Sequence, residues 1–284
     1  MSIDLHTHTN FSDGSLSPEA LVDLALKKKI EVLAITDHDE VGAIHPAMQH
    51  SNNFPIEIVA GVELSIEYQL QGLGHLHILV LFIDYNNEEL ITNLDKLKQA
   101  RYDRIKIMVQ KVKALGFDLD VNELEKYVGQ GSAGRPHLAR ILVEKDIVKD
   151  IPDAFGKYLS KGRPAYVPKT KLSAQAAIDL IHHAGGLAII AHPYSLGYAT
   201  YPEMGREILK LKAMGLDGLE AYYTSYNVYL TNWLLEFAKE NNMLISGGSD
   251  FHGEPKPEIQ LGSGSGNLSI PYSVYEKLIN YINY

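Results

Sequence analysis

Apolar and polar positions along the first third of the chain predict strands and helices in alternation. Short apolar runs predict β-strands over residues 3–6, 31–36, 56–64 and 77–83. An amphipathic stretch over 18–29 predicts a helix between the first two strands, with Ser17 at the N-cap position and Pro18 at the first helical position. This alternation is typical of a mostly parallel sheet or a barrel.

The middle of the chain has a helical pattern instead. An amphipathic stretch spans residues 87–115 and ends at Gly116. Further helices are predicted over 121–128, 136–144 and 152–159, with no convincing strand between them. A run of helices inside a strand–helix repeat predicts an inserted, mostly helical subdomain over residues 101–170.

The strand–helix alternation resumes from about residue 171. Strands are predicted over 187–191, 218–222 and 243–246, and helices over 174–184, 203–214, 229–240 and 272–282. We therefore expect one α/β unit built from residues 1–100 and 171–284, into which the helical segment is inserted.

The composition excludes several classes of protein. With 45% apolar and 21% charged residues, the chain can bury a large core. It contains no Cys, which excludes a disulfide scaffold, thiolate zinc sites, iron–sulfur clusters and a Cys nucleophile. No apolar run reaches the ~18 residues of a membrane span, and the first ten residues lack the basic segment of a signal peptide. We expect a soluble, cytoplasmic protein with no membrane partner.

The formal net charge of −9 argues against a broad nucleic-acid-binding face, so no stable duplex partner is expected. An anionic substrate stays open, because bound divalent cations can be the largest local charges in a site and can invert its sign. The question is then whether the 12 histidines cluster.

Histidines and acidic residues recur where the predicted strands end. His6 and His8 stand two residues apart, so that both side chains point to one face of a strand. Glu63 is a lone acid in an apolar strand, and its burial is costly unless a cation lies nearby. Each residue alone has an ordinary explanation, such as a solvated turn for Asp13 or a salt bridge for Glu63. Because strand ends meet at one face of a βα barrel, the set together predicts a metal site. Its candidate ligands are His6, His8, Asp13, His38, Glu63, His77 (or His75), His192, Asp250 and His252.

The segments that carry these residues resemble the PHP (polymerase and histidinol phosphatase) family. They read DLHTH at 4–8, SDG at 12–14, TDHD at 36–39, GVE at 61–63, AHP at 191–193 and SDFH at 249–252. The resemblance covers nearly the whole chain. It implies a distorted (β/α)7, TIM-like barrel with two or three metal ions at the carboxyl ends of its strands.

The resemblance also implies how the ligands are shared among the ions. The first ion would be held by His6, His8, Glu63 and Asp250; the second by Glu63, His77 and His192; and the third by Asp13, His38 and His252. Although the spacing favours His77, His75 could replace it. Glu63, His192 and Asp250 would be the catalytic residues, since Glu63 bridges two ions and the other two flank the nucleophile.

The middle segment, with GRPHLAR at 134–140 and KGRPAY at 161–166, looks like the insertion of small stand-alone PHP phosphoesterases. Those enzymes act on nucleoside 3′,5′-bisphosphates and, in some members, on short RNA from the 5′ end. The resemblance implies that Arg135 faces a substrate phosphate, accompanied by His137. A planar guanidinium suits bidentate phosphate binding. The alternative is that Arg135 merely begins a helix. Four further basic residues either extend an anion track or form a solvated hairpin: Lys161, Arg163, Lys169 and Lys171.

Histidine and carboxylate ligands without thiolates suit a hydrolytic site for divalent ions. We expect two or three ions, Mn²⁺ first, with Zn²⁺, Fe²⁺ or Mg²⁺ as alternatives. The sequence thus predicts a metal-dependent phosphatase or phosphodiesterase. Its expected substrate is a small phosphorylated metabolite: a nucleoside 3′,5′-bisphosphate losing its 3′-phosphate, or short RNA losing 5′-nucleotides. The alternatives are a histidinol-phosphate phosphatase, which the second phosphate clamp disfavours, and a PHP module that binds metal without turnover.

Overall fold

The computed structural model describes residues 2–72, 74–124 and 134–283. Its strands are β1 (Ser2–Asp4), β2 (Ile30–Ile35), β3 (Glu57–Glu67), β4 (Leu76–Leu81), β5 (Leu172–Ser173), β6 (Leu187–Ile190), β7 (Gly218–Tyr223) and β8 (Leu244–Gly248). Its α-helices are α1 (Pro18–Lys27), α2 (Ile44–Ser51), α3 (Glu88–Ala114), α4 (Arg135–Glu144), α5 (Ile151–Ala154), α6 (Ala174–His183), α7 (Tyr201–Ala213), α8 (Val228–Glu240) and α9 (Tyr272–Ile282). No helix within these ranges is long and apolar enough to cross a membrane.

Local sequence explains where helix α1 begins, and two of the predicted helices differ from those in the structure. At α1 the Ser17 hydroxyl accepts a hydrogen bond from the backbone N–H of Ala20 at 3.2 Å, with Pro18 at the first helical position, as predicted. The predicted helix over 152–159 is divided into α5 and a π-helical turn at Phe155–Leu159. Of the predicted helix over 121–128, the described part is a 3₁₀ turn at Val121–Leu124. Residues 125–128 lie outside the described ranges.

The strands form a mixed sheet in the order β1-β2-β3-β4-β6-β7-β8, with β5 paired to β3. Most neighbours are parallel, but β4 runs antiparallel to both β3 and β6. Because β4 is reversed, its beginning lies at the edge where the parallel strands end. His77, near the start of β4, is accordingly paired with Ser65, near the end of β3.

The sheet is not closed by a ladder between β1 and β8, so the closed barrel that the resemblance implies is not confirmed. The segments that follow these two strands nevertheless meet. The His8 N–H donates to the Phe251 carbonyl at 2.9 Å, and the Asp250 N–H donates to the His6 carbonyl at 2.9 Å. These bonds place the first and the last predicted ligand segments side by side.

Alternate residues of the strands pack on opposite faces of the sheet. Leu33 and Ile35 of β2 belong to the large core beneath helices α1, α2 and α6–α8. Val32 and Ala34 belong to the other face, which α9 covers with Val274. Because apolar layers cover both faces, polar groups collect at the strand ends.

The inserted segment has a hydrophobic core of its own within residues 102–167. Helix α3 serves both cores, since its first half buries Leu90 and Leu97 against the sheet layer and its second half buries Ile105 and Met108 in the insertion. The boundary expected near residue 100 therefore falls inside one continuous helix, which joins the insertion to the sheet layer.

Candidate metal centre

The nine residues predicted as metal ligands lie together at the edge where the parallel strands end. Their side chains form overlapping groups, in each of which the potential ligand atoms all lie within 4.8 Å of one another. The groups are His6, His8, Glu63 and Asp250; His38, Glu63 and His77; His75, His77 and His192; and His8, Asp13, His38 and His252.

Glu63 of β3 lies at the centre of the cluster and is 1% exposed. Its two carboxylate oxygens lie close to ring nitrogens of five histidines, at 2.7 Å (His77), 2.9 Å (His192), 3.1 Å (His38), 3.3 Å (His6) and 3.3 Å (His8). A carboxylate offers about four lone-pair sites. Hydrogen bonding to this carboxylate therefore cannot account for all five rings.

Three of these ring nitrogens have no hydrogen-bond partner in the described part of the chain. They are Nε2 of His6, Nε2 of His8 and Nδ1 of His38, and all three are buried. A buried polar atom without a partner costs about 1–3 kcal/mol. A divalent ion between the imidazole nitrogens and the carboxylates would satisfy them, so the donor set fits a metal cluster.

The group of His6, His8, Glu63 and Asp250 contains the four residues that the resemblance implies for the first ion. The set implied for the third ion, Asp13, His38 and His252, is also brought together, with the His252 Nε2 at 3.3 Å from the Asp13 Oδ1.

The residues implied for the second ion, Glu63, His77 and His192, also lie together. His77 and His192 each contact Glu63, and His75 lies beside them, with its ring centroid 4.7 Å from that of His77. Both histidines of the His75-Leu76-His77 segment therefore face the cluster. His77 makes the direct contact with the Glu63 carboxylate.

Glu220 of β7 is a buried acid that the sequence reasoning missed. Its Oε1 accepts a hydrogen bond from the His6 Nδ1 at 3.0 Å, and its Oε2 accepts one from the backbone N–H of His192 at 2.7 Å. A proton held on Nδ1 leaves the His6 Nε2 facing the other ligands. The available signal was the one used for Glu63, namely a lone acid in an apolar strand.

Two further residues hold the Asp250 carboxylate. Its Oδ2 accepts hydrogen bonds from the Tyr223 hydroxyl at 2.8 Å and from the Lys256 ammonium at 2.7 Å. Its Oδ1 lies 3.1 Å from the His8 Nε2. Asp250 is thus oriented with one oxygen towards the cluster, and neither supporting residue has a motif that marks it.

Three residues at the cluster have positive φ angles that side chains rarely adopt: Asp39 at 51°, His192 at 29° and Asp250 at 56°. Such conformations cost on the order of 1–3 kcal/mol and persist where surrounding contacts enforce them. His192 and Asp250 each lie two residues beyond the end of a strand, where the positive φ angle turns the chain so that the side chain faces the cluster.

Burial and charge set the protonation of the cluster. Burial lowers the pKa of His38 to about 3, against the opposing effect of Glu63 and Asp13, so its ring is neutral. For His8, burial acts in the same direction, but the neighbouring Asp250 and Glu63 carboxylates outweigh it and raise the pKa to about 9. Burial alone would raise the pKa of Glu63, but His38 and the neighbouring histidines hold it well below its usual value. A cation bound at His8 must therefore displace a proton.

A cavity of about 600 Å³ adjoins the cluster where the insertion faces the sheet edge. Its wall includes the cluster residues Asp13, His38 and His77. Six basic residues also line it: Arg101, Arg104, Arg135, Lys161, Lys169 and Lys171. These six outnumber the two acidic residues of the lining, Asp13 and Glu67, and an excess of positive charge in a cleft raises the local concentration of anionic ligands. We call this space the cationic cavity.

Arg135 and His137 both line the cationic cavity. Arg135 is the first residue of α4, and its guanidinium lies 5.3 Å from the Phe155 ring centroid. The two interpretations of Arg135 are thus compatible, since it begins a helix and also faces the cavity. His137 uses its Nδ1 to accept a hydrogen bond from the Gly134 N–H at 3.0 Å, which caps the helix.

Asp39 holds two of the basic residues in place. Its buried carboxylate accepts a hydrogen bond from the Lys169 Nζ at 2.7 Å and another from Arg101, and the Ser65 N–H donates to its second oxygen at 2.9 Å. Burial lowers the pKa of Lys169 to about 8, although Asp39 opposes the shift. The insertion is therefore tied to the residue next to His38.

A second cavity, of about 330 Å³, adjoins the same cluster. It shares His38, His75 and His77 with the cationic cavity, and its other walls combine cluster residues such as Glu63 and Asp250 with three tyrosines: Tyr194, Tyr223 and Tyr226. We call it the aromatic cavity.

Solved structures with this fold define the class of protein. A protein from Bifidobacterium adolescentis described as a metal-dependent phosphoesterase matches with a TM-score of 0.84 and 27% identity, covering 98% of this chain and 95% of that one. An amidohydrolase from Chromobacterium violaceum, with bound sulfate and no metal, matches with a TM-score of 0.83 and 29% identity, covering 99% and 96%. The chain is a metal-dependent phosphoesterase of this fold.

Sequence relatives identify the family. The PHP domain matches residues 4–105. The 5′-3′ exoribonuclease Rnm of Escherichia coli (strain K12) is 32% identical over 263 residues, covering 91% of this chain and 87% of the relative. The 3′,5′-nucleoside bisphosphate phosphatase of Chromobacterium violaceum is 33% identical over 254 residues, covering 88% and 87%. The chain belongs to the PHP family.

Proposed function

We propose that this phosphoesterase removes the 3′-phosphate from nucleoside 3′,5′-bisphosphates and, by cleaving the same bond, releases 5′-nucleotides from short RNA. The scissile phosphate would lie at the metal cluster and the 5′-phosphate in the cationic cavity. The names of the relatives, a bisphosphate phosphatase and an exoribonuclease, support this substrate class.

The cationic cavity is the observation that carries the proposal. A phosphate monoester with a single phosphate needs only the cluster, whereas six basic residues beside it suit a second anionic group. Arg135 would be the main contact, since its planar guanidinium can bind two phosphate oxygens at once. Histidinol phosphate has a protonated amine in place of a second phosphate, and this cavity would repel it.

The cluster would hold two or three divalent ions in the three ligand sets described above, with Mn²⁺ as the first choice. Bound ions supply an activated water and neutralise the charge on the phosphoryl oxygens. Glu63 would bridge two of the sites, because histidines approach both of its oxygens. His192 and Asp250 would lie next to the reacting phosphate and manage protons there.

The insertion over residues 101–170 would cap the substrate. It contributes Arg101, Arg104 and Arg135 to the cavity wall, and its own core holds these residues on rigid helices. The remainder, 1–100 and 171–284, would form the distorted (β/α)7 barrel of the family.

A comparison of three substrates tests the proposal. Phosphate release is measured with Mn²⁺ for adenosine 3′,5′-bisphosphate, adenosine 3′-monophosphate and histidinol phosphate. We expect the bisphosphate to have the highest kcat/KM, at least tenfold above the 3′-monophosphate, because only it fills the cationic cavity. Equal values for the two nucleotides, or a preference for histidinol phosphate, would contradict the assignment.

A further inference from the structure

The two cavities beside the metal cluster differ in charge. Six Lys or Arg residues line the cationic cavity. Among the described residues that line the aromatic cavity, Lys256 is the one lysine and no arginine is present, and its ammonium lies 2.7 Å from the Asp250 carboxylate. The aromatic cavity therefore offers little net positive charge to a terminal phosphate.

Three tyrosines give this cavity its character: Tyr194, Tyr223 and Tyr226. The rings of Tyr223 and Tyr226 pack with centroids 5.2 Å apart, and Tyr223 also packs against His192 at 5.5 Å. Aromatic side chains with polar edges are the surfaces on which unpaired nucleobases stack. The cavity, of about 330 Å³, is also lined by the cluster residues Glu63, His192 and Asp250, so a nucleoside beside its tyrosines would lie next to the scissile phosphate.

Tyr194 is the residue best placed to stack on a base. It lies in the 3₁₀ turn Pro193–Leu196, which directly follows His192, and its backbone N–H donates to the Tyr226 hydroxyl at 3.3 Å. Its backbone is thus held, yet its side chain is 57% exposed and its ring pairs with no other aromatic ring in the described part of the chain. The ring is available to a ligand.

We propose that the aromatic cavity binds the nucleoside joined through its 5′-oxygen to the scissile phosphate, with Tyr194 stacking on its base. This inference rests on the proposed function and adds the subsite that a phosphodiester requires. In the reaction, water adds to phosphorus, the bond from phosphorus to the 3′-oxygen breaks, and the 3′-oxygen takes the proton. A 5′-nucleotide leaves, and the rest of the strand keeps the phosphate on its 5′-oxygen.

The same bond breaks in a nucleoside 3′,5′-bisphosphate, whose scissile phosphate has no second nucleoside. Only the diester would therefore place a nucleoside against the tyrosines of the aromatic cavity. The informative quantity is the ratio of kcat/KM for a 5′-phosphorylated diadenosine monophosphate to kcat/KM for adenosine 3′,5′-bisphosphate. Any general effect of a substitution on the metal cluster cancels in this ratio.

The experiment measures that ratio in the wild type and in the variants Tyr194→Ala, Tyr194→Phe and Tyr281→Ala. Tyr281 is a matched control, since it is 55% exposed and lies on α9, which packs on the sheet beside β1 and β8. We expect Tyr194→Ala to lower the ratio about fivefold to 150-fold, the equivalent of about 1–3 kcal/mol of stacking. Tyr194→Phe, which keeps the ring, and Tyr281→Ala should leave it within twofold.

Three results would overturn the inference. If the wild type hydrolyses the bisphosphate but not the dinucleotide, the subsite does not exist, and only the bisphosphate phosphatase part of the proposed function stands. If Tyr194→Ala leaves the ratio unchanged, the ring does not bind the second nucleoside. If the wild type hydrolyses neither substrate, the proposed function itself is wrong and this inference fails with it.

Discussion

Replacing Glu220 by Gln should weaken metal binding although this residue is not a predicted ligand. Both oxygens of Glu220 accept hydrogen bonds, one from the His6 ring and one from the His192 backbone N–H. A glutamine has one acceptor oxygen, so its NH₂ group must face one of these two donors. Either the bond to His192 is lost, or His6 moves its proton to Nε2, the atom that faces the cluster.

The size of the effect follows from the bond that is lost. A hydrogen bond to a charged group contributes about 1.5–3 kcal/mol, which corresponds to a factor of about 10–150 in an equilibrium constant. Removing a residue that orients a metal ligand costs 10–100-fold in metal affinity or activity in general. We therefore expect Glu220→Gln to lower the affinity for Mn²⁺ by one to two orders of magnitude.

The assay is a calorimetric titration of metal-free protein with Mn²⁺, with kcat/KM measured in parallel. Glu207→Gln is the matched control. Glu207 is also a buried acid, but it accepts hydrogen bonds from Tyr68 and Tyr198 away from the cluster. Its substitution should leave Mn²⁺ affinity unchanged. Wild-type affinity in Glu220→Gln, with the variant folded, would refute the view that this carboxylate orients the ligands.

Two further predictions concern the cationic cavity. Arg135→Ala should raise KM for the bisphosphate at least tenfold and leave the metal content unchanged. The control Arg163→Ala should change neither quantity, because Arg163 is exposed and is not among the residues that line the cavity. Loss of metal in Arg135→Ala would contradict the assignment of Arg135 to substrate binding. Lys169 has a pKa of about 8, below the ordinary lysine value, so it is charged below that pH and neutral above it. KM for the bisphosphate should therefore rise as the pH passes 8, and Lys169→Arg should abolish that rise. An unchanged pH profile in Lys169→Arg would show that Lys169 does not contact the substrate.

Much of the site could be predicted from the sequence because burying its charged and polar side chains without partners costs free energy. An acid such as Glu63 inside an apolar strand needs a partner, and the spacing of His6 and His8 aims both at one point. Glu220 has the same property as Glu63 but stands in no recognisable motif. Lys256 could not be found at all, since only the tertiary fold brings it to Asp250.

For the fold, the sequence predicted the α/β class and the approximate positions of the strands, but not the strand directions or the closure of the sheet. The apolar runs located the strands, and the strand–helix alternation indicated the α/β class. The direction of β4 was not predictable, because an apolar run reads the same for a parallel and an antiparallel buried strand. Whether the sheet closes depends on the register of β1 against β8, which no local pattern encodes.

The number of metal ions per chain tests the central claim most directly. The purified protein is stripped of metal, loaded with Mn²⁺, freed of unbound ions and measured by elemental analysis. The four overlapping groups of potential ligands, two of which contain Glu63, predict two to three ions per chain. A Glu63→Gln variant should hold fewer, because histidines around both carboxylate oxygens would lose their shared acid. One ion or fewer per wild-type chain would contradict the account.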